Sequence, residues 1–304
     1  MKKEKILEKK RKLNVDIALK VEEIKSLLKD FPIKTRLYNL FYRGKSFDFE
    51  GYKEFTQEDD ARNIDWKASM RSDKLLVKHY KEELERKICF IIDVSDNMIF
   101  GTGDKLKCEY AAELAVSLAY LVITAGHKLS LVLFSDKPRL VVPPKKGIRT
   151  FDYFVDFLTD PKNYGGPSNL EAMFDYYNQY LSPSTTAAVI ISDFLSFNDN
   201  LNSKILVAGK RFETIAFMIR DMADIELPDT KGEFVIEDPK TNSKMIINPS
   251  LAKKRYYDYA HEKELRIKKA FNNAHIDLLD LVTERSFGAP VYQFLNQRTK
   301  EVAK

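Results

Sequence analysis

Two uninterrupted apolar runs, each ending in a carboxylate, constrain the fold of this chain more than any other feature. The first run covers 88–92 and ends at Asp93, and the second covers 187–191 and is followed by Ser192 and Asp193. Apolar runs without alternation are typical of strands buried on both faces of a parallel sheet. Ligands of such sheets bind beyond the carboxyl ends of the strands, where the strand order reverses. The two runs therefore predict a pair of acidic groups at one edge of a buried sheet.

Strand and helix patterns alternate from the first run to beyond the second. This alternation predicts an α/β fold with a doubly wound, mostly parallel sheet whose two faces are covered by helices. The turn at 135–138 predicts that the next strand returns as an antiparallel edge strand, and Ser168 is expected to cap a helix. The predicted strands are 88–92, 129–134, 140–142, 187–192, 214–219 and 276–281. One predicted helix starts at 104, and the others cover about 149–158, 169–180, 200–210, 250–273 and 289–297.

Three regions are predicted along the chain. Residues 1–33 form a basic amphipathic helix, because lysines and arginines cluster near its start and apolar residues recur at close to heptad spacing. Residues 34–86, which are rich in aromatic side chains, form a small irregular or β-rich module. Residues 87–298 form the sheet domain, which a hairpin-plus-helix insert interrupts at about 224–274. The basic helix packs either on this domain or on a partner.

Composition indicates a cytoplasmic protein with one sizeable core. The chain has 304 residues, of which 44% are hydrophobic, and its formal charge of +5 is mild because 31% of residues are charged. Cys89 and Cys108 are expected to be free buried thiols of a reducing compartment. No charged-then-apolar signal pattern opens the sequence, and the longest apolar stretch, 114–125, is too short to span a bilayer.

Five polar side chains at the predicted strand ends and loops point to a divalent metal site. Asp93, Ser95 and Asn97 lie two residues apart in the loop after the first run, so their side chains can converge. Asp193 adds a second carboxylate, and Ser168 adds a hydroxyl from a helix start. Mg²⁺ or Mn²⁺ suits such oxygen ligands. The alternative is a strand-end loop in which these groups only cap helices and turns.

The order of these residues resembles the metal-ion-dependent adhesion site of von Willebrand factor A domains, which reads Asp-x-Ser-x-Ser, then Thr, then Asp. Asn97 stands in place of the second Ser and Ser168 in place of Thr, and each keeps an oxygen ligand. The resemblance implies a von Willebrand A-like domain that binds proteins and is not an enzyme. It also implies that an acidic side chain of a client protein fills an open position on the metal.

A second resemblance is narrower. Residues 59–66 read Asp-Asp-Ala-Arg-Asn-Ile-Asp-Trp, which is similar to the bacterial domain-of-unknown-function family number fifty-eight. That family carries Gly-Asp-Asp-x-Arg-x-Ile-Asp-Trp before a von Willebrand A domain, and here Glu58 replaces the glycine. Segments 226–228 and 234–238 match the insert of the family, and the resemblance covers about 36–295. It implies a partnership with a MoxR-type AAA+ ATPase that assembles or activates other proteins.

The 59–66 segment has two interpretations. It forms a structural network, in which Arg62 pairs with a carboxylate and Trp66 lies in the core, or it forms a surface for a partner. The structural network is favoured, and Trp66 is therefore predicted to be buried.

Two other function classes compete with protein binding. An open Mg²⁺ position can activate water, which would make the chain a metal-dependent hydrolase, but no clustered histidine or third acid offers a general base. A nucleic-acid-binding protein using the basic helix at 1–33 is disfavoured because the net charge is small. Nucleotide binding is disfavoured because the Gly-Thr-Gly-Asp-Lys stretch at 101–105 lacks the phosphate-loop pattern, and no small-molecule substrate is expected.

Overall fold

The structure is a computed structural model that describes residues 13, 15–27, 49–56, 59, 61, 64–72, 74–80, 85–227, 234–237, 244–247 and 249–302. The chain divides into two units, one made of residues 43–85 and the other of 1–42 and 86–304. The helices are α1 (Ile17–Leu27), α2 (Trp66–Ser72), α3 (Lys107–Thr124), α4 (Ile148–Thr159), α5 (Leu170–Tyr180), α6 (Leu201–Arg211), α7 (Met222–Ile225), α8 (Pro249–Asn273) and α9 (Gly288–Val302). The strands are β1 (Phe49–Glu54), β2 (Leu76–Tyr80), β3 (Lys87–Asp93), β4 (Lys128–Phe134), β5 (Pro138–Lys145), β6 (Ala187–Ser192), β7 (Glu213–Arg220), β8 (Phe234–Glu237), β9 (Lys244–Ile247) and β10 (Asp277–Val282).

The larger unit contains a six-stranded sheet in the order β10-β7-β6-β3-β4-β5. Neighbouring strands are parallel except for β5, which runs antiparallel to β4 at the edge, as predicted. Strands β3 and β6 are adjacent, and Ile92 pairs with Ile191. The chain leaves β3 towards β4 on one side and later returns to β6 on the other. The strand order therefore reverses between β3 and β6, where ligands of such sheets bind.

Helices cover both faces of this sheet, which confirms the predicted fold class. Along β3, Ile88, Phe90 and Ile92 face one layer, while Cys89 and Ile91 face the other, because successive strand residues point to opposite faces. Fully burying one such aliphatic or aromatic side chain contributes about 1.5–3 kcal/mol. One layer contains α1, α3, α4 and α9, and the other contains α5, α6 and α8.

Two helices start later than predicted. Helix α3 starts at Lys107 and not at Asp104, because the preceding loop turns back on itself and the Lys107 amide donates to the Phe100 carbonyl at 2.8 Å. Helix α5 is capped by Asn169 and not by Ser168, because the amide oxygen of Asn169 accepts a hydrogen bond from the Ala172 amide at 3.0 Å.

The N-terminal segment packs on the sheet domain. Leu13 and Val21 are buried in the same core layer as α3. The Asp16 amide donates to Glu113 Oε1 at 2.7 Å, and Asp16 Oδ1 accepts from the Leu19 amide, so the helix begins just after Asp16. The predicted helix over 1–33 is thus present at Ile17–Leu27 and absent at Leu13, and its remaining residues outside 13 and 15–27 lie beyond the described part of the chain.

The predicted hairpin and long helix are both present in the larger unit. Strands β8 and β9 pair antiparallel, with Phe234 opposite Ile247. Helix α8 then leads into β10, which is parallel to β7, so α8 serves as the crossover between these two strands. Phe271 of α8 is fully buried against the sheet. Within the described ranges, no helix is both long and apolar enough to cross a membrane.

The smaller unit, residues 43–85, pairs β1 with β2 antiparallel and adds the short helix α2. The prediction that Trp66 is buried is wrong, since the side chain is 65% exposed. Helix α2 instead buries Ser69, whose hydroxyl oxygen accepts from the Leu76 amide at 2.8 Å. Arg62, which the structural interpretation paired with a carboxylate, lies outside the described residues.

Candidate metal centre at the carboxyl ends of the central strands

Asp93 lies at the carboxyl end of β3 and is 3% exposed. Its Oδ1 accepts from the Ser95 amide at 2.9 Å, and its Oδ2 accepts from the Ser192 hydroxyl at 2.7 Å. Burial, followed by the nearby charge of Asp193, raises the pKa of Asp93 to about 6. The predicted meeting of the two carboxylates at one edge of the sheet is therefore observed.

Ser95 begins the turn that follows β3, and its side chain is fully buried. Its hydroxyl lies near enough to Asp93 to counter part of the rise in the Asp93 pKa. The hydroxyl oxygen nevertheless has no hydrogen bond of normal geometry within the described part of the chain. A buried polar group without a partner costs about 1–3 kcal/mol. Asn97 lies in the same turn, Asp96–Met98, and is half-buried.

Hydrogen bonds tie the loop of Ser95 to the loop of Ser168. The Asp96 amide donates to the Gly166 carbonyl at 2.8 Å, and the Gly166 amide donates back to Asp96 Oδ1 at 3.0 Å. Gly166 has a φ of 91°, a conformation that glycine adopts without strain. Ser168, which is half-buried, follows this contact by two residues. Its loop is thus fixed beside the turn that carries Ser95 and Asn97.

Asp193 follows β6 and is held by a lysine. Lys107 Nζ donates to Asp193 Oδ2 at 2.8 Å and to Asp224 Oδ2 at 2.9 Å, and the Lys107 side chain is 1% exposed. Burial lowers the pKa of Lys107, but the charges of Asp193 and Asp224 outweigh it and raise the pKa overall. The ammonium group therefore stays charged and neutralises part of the acidic cluster.

The backbone after Asp193 has an unusual conformation. Phe194 has a φ of 52°, which costs a non-glycine residue about 1–3 kcal/mol. The ring is fully buried and packs edge-on against Phe271 at 5.0 Å between centroids. The Phe194 amide donates to Ser192 Oγ at 3.1 Å, the same hydroxyl that donates to Asp93. Ser192 thus connects the two loops that carry the carboxylates.

The oxygen atoms of this site fit a hard divalent cation on the side of Asp93. Ser95 Oγ is enclosed next to an acidic residue and lacks a partner within the described ranges, so an oxygen-seeking ion would offset its desolvation. The described residues contain no cluster of three or more His, Cys, Asp and Glu side chains suited to a metal. Hydroxyl and amide oxygens would have to complete the shell. The residues that would hold the ion are Asp93, Ser95, Asn97, Ser168 and Asp193.

Three residues at this edge of the sheet were not predicted from the sequence to belong to the site. Ser192 was included in the apolar strand, although its position opposite Asp93 follows from parallel pairing of the two runs. Lys107 lies four residues before Ala111 and seven before Leu114, which places it on the buried face of α3. That spacing was an available signal. Asp224 carried none, because it lies 117 residues from its partner along the chain.

Comparison with known proteins identifies relatives over most of the chain. A family model described as "Protein of unknown function DUF58" matches residues 51–266. Uncharacterized proteins of Mycobacterium tuberculosis (strain ATCC 25618 / H37Rv) and Mycobacterium bovis are each 24% identical over 246 residues, which is 80% of this chain and 76% of the relative.

Solved structures with a similar arrangement have low sequence identity. A chain described as von Willebrand factor type A from Catenulispora acidiphila has a TM-score of 0.42 at 16% identity, covering 75% of this chain and 44% of that one. The conserved hypothetical protein BatB from Bacteroides thetaiotaomicron has a TM-score of 0.44 at 11% identity, covering 71% of this chain and 99% of that one. An aerotolerance-related membrane protein from Bacteroides fragilis has a TM-score of 0.45 at 11% identity, covering 70% and 99%.

Proposed function

The chain belongs to the DUF58 family of proteins of unknown function, and we propose that it is a divalent-metal-dependent protein-binding module. Mg²⁺ or Mn²⁺ would be held at the carboxyl ends of β3 and β6 by Asp93, Ser95, Asn97, Ser168 and Asp193. When bound, the ion would supply a positive charge with an open coordination position. The residues of this chain would hold the ion at that edge of the sheet.

One observation carries the proposal: the Ser95 hydroxyl is fully buried beside Asp93 and has no partner among the described residues. Burying a hydroxyl without a hydrogen bond is unfavourable, so such groups are found where a ligand or ion completes them. The Ser95 hydroxyl lies close enough to Asp93 to lower the pKa of that carboxyl, but it forms no hydrogen bond of normal geometry with it, and the Asp93 oxygens already accept from the Ser95 amide and the Ser192 hydroxyl. A cation coordinated by Ser95 Oγ is the simplest completion of the site.

The partner side of the proposal follows from charge. A divalent ion with an open position attracts a carboxylate, so the client protein would offer an acidic side chain. The second partner would be a MoxR-type AAA+ ATPase, for which the chain would be a non-enzymatic cofactor in assembling or activating clients. The support for the ATPase is the family resemblance carried by residues 59–66. A cytoplasmic location is supported by Cys89 and Cys108, two buried cysteines that form no disulfide.

Binding of Mn²⁺ and of a purified MoxR-type ATPase tests the proposal. Wild-type protein should bind Mn²⁺ in equilibrium dialysis, and Ser95→Ala and Asp93→Ala should lose that binding while remaining folded. Ser130→Ala is the matched control, because Ser130 is also buried but its hydroxyl already donates to the Ile88 carbonyl. Capture of the ATPase should disappear in EDTA. Equal Mn²⁺ binding by wild type and Ser95→Ala would refute the assigned ligands.

A further inference from the structure

Helix α2 of the smaller unit exposes its large apolar side chains, and the one residue that it buries is Ser69. Trp66 is 65% exposed and Met70 is 82% exposed, whereas Ser69 is 8% exposed. Residues four apart lie on the same face of a helix, so Trp66 and Met70 form one apolar strip. An amphipathic helix ordinarily turns its large apolar residues inward. The reversed orientation of α2 is a feature of interaction surfaces.

The strip is held rigidly by the hydrogen bonds of its helix. Asp65 Oδ1 caps the helix by accepting from the Lys67 amide at 3.1 Å and the Ala68 amide at 3.0 Å. Ser69 Oγ donates to the Asp65 carbonyl at 2.8 Å and accepts from the Leu76 amide on β2 at 2.8 Å. A preorganised surface loses little conformational entropy on binding. Exposure of Trp66 is therefore built into the unit.

Two cations lie beside the strip. Lys67 and Arg71 are both exposed and are four residues apart, each directly following one of the two apolar residues. Neither forms an ion pair within the described part of the smaller unit. Tryptophan and arginine are enriched among the residues that dominate binding energy at protein interfaces, and exposed methionine adapts to varied apolar partners.

We propose that the surface formed by Trp66, Lys67, Met70 and Arg71 binds a protein segment with an apolar strip flanked by carboxylates. Trp66 and Met70 would bury their apolar area against the apolar residues of the partner. Lys67 and Arg71 would pair with the carboxylates of the partner, which selects partners by charge. A protein partner is favoured over nucleic acid because two cations would neutralise only two phosphates, and Met70 gains nothing from a phosphate backbone. None of these four residues is among those assigned to the metal.

The fluorescence of Trp66 provides a direct test, because it is the only tryptophan in the chain. Two synthetic amphipathic helical peptides with the same strip of leucines serve as probes. The acidic peptide has glutamates beside this strip, and the basic peptide has lysines at the same positions. The acidic peptide should shift the Trp66 emission to the blue and protect it from acrylamide, and its affinity should exceed that of the basic peptide at least tenfold. Asp93→Ala should respond as wild type does, which separates this surface from the metal proposal.

Charge reversal decides the role of the cations. The double variant Lys67→Glu/Arg71→Glu should bind the acidic peptide at least tenfold more weakly than wild type and the basic peptide more tightly. Because both positions are exposed, the fold should be preserved. Lys210→Glu/Lys254→Glu, a reversal at exposed positions elsewhere, should leave both affinities unchanged. Four results would overturn the proposal: equal response to both peptides, no response, an emission shift that depends only on protein concentration, or tighter binding of single-stranded DNA with a steep salt dependence.

Discussion

The ammonium nitrogen of Lys107 lies 2.8 Å from Oδ2 of Asp193, and each side chain is 1% exposed. The same nitrogen lies 2.9 Å from Oδ2 of Asp224. A buried cation therefore lies at the edge of the sheet where β3 ends in Asp93 and β6 is followed by Asp193. It offsets part of the repulsion between Asp93 and Asp193 that would otherwise require a metal or a proton.

Replacing Lys107 with methionine should destabilise the protein by about 3–5 kcal/mol, because two buried carboxylates lose their cation. Lys204→Met is the matched control. Lys204 also pairs with two carboxylates, Asp175 and Glu171, but its side chain is 27% exposed. Exposed ion pairs contribute about 0–1 kcal/mol. Urea unfolding of both variants measures the difference, and similar losses at the two positions would contradict the buried network.

The raised pKa of Asp93 predicts a pH-dependent loss of stability in metal-free buffer. A carboxyl whose folded pKa is about 6, against 3.8 for an ordinary Asp, binds more protons in the folded state between these values. Its contribution to stability is fully present below about pH 4 and is lost as pH rises through about 6. Wild type should therefore lose on the order of 3 kcal/mol relative to Asp93→Asn between pH 4 and pH 7.

Urea unfolding of both proteins in EDTA at pH 4, 5, 6 and 7 measures this difference. The asparagine side chain of the variant keeps an oxygen for the Ser95 amide, so the comparison isolates the charge. A stability difference that stays constant across the range would contradict the effect of burial on Asp93.

Millimolar Mg²⁺ or Mn²⁺ should stabilise the native state by mass action, by about 2.7 kcal/mol at a hundredfold excess over the dissociation constant. Asp93→Ala should abolish the increase in melting temperature. Asn97→Ser, which introduces the hydroxyl found in von Willebrand A sites, should keep or strengthen it. Melting curves in EDTA and in each metal measure the effect. If neither metal moves the wild-type melting midpoint, the site has no metal ion, and the Lys107 ammonium group supplies its positive charge.

The buried sheet could be predicted from the sequence because its strands are continuous apolar runs. The return of β5 as an edge strand follows from the turn at 135–138, and the pairing of β3 with β6 was predicted from the carboxylates at the ends of the two runs. The start of α3 could not be predicted, since the turn before it depends on a hydrogen bond between the Lys107 amide and the Phe100 carbonyl.

The candidate site was predictable only where its residues lie next to a strand end. Asp93 and Asp193 do, and their proximity follows from the parallel pairing of two runs. The ion pair of Lys107 with Asp224 depends on how α3 packs against the end of β7, which no local pattern encodes. The exposure of Trp66 was missed because α2 has seven residues and its one buried position is filled by Ser69.

The N-terminal segment supplies the last prediction, since its packing bears on the nucleic-acid alternative. Leu13 is 5% exposed, and its amide donates to the Thr159 carbonyl at 3.2 Å, whereas Leu19 on α1 is 59% exposed. Leu13→Ala should cost about 2–5 kcal/mol of unfolding free energy, because it leaves a cavity in the core. Leu19→Ala, the same change at an exposed position, should alter stability by less than about 0.5 kcal/mol. Equal effects in thermal and urea unfolding would mean that this segment is an unattached arm, as a nucleic-acid-binding role would require.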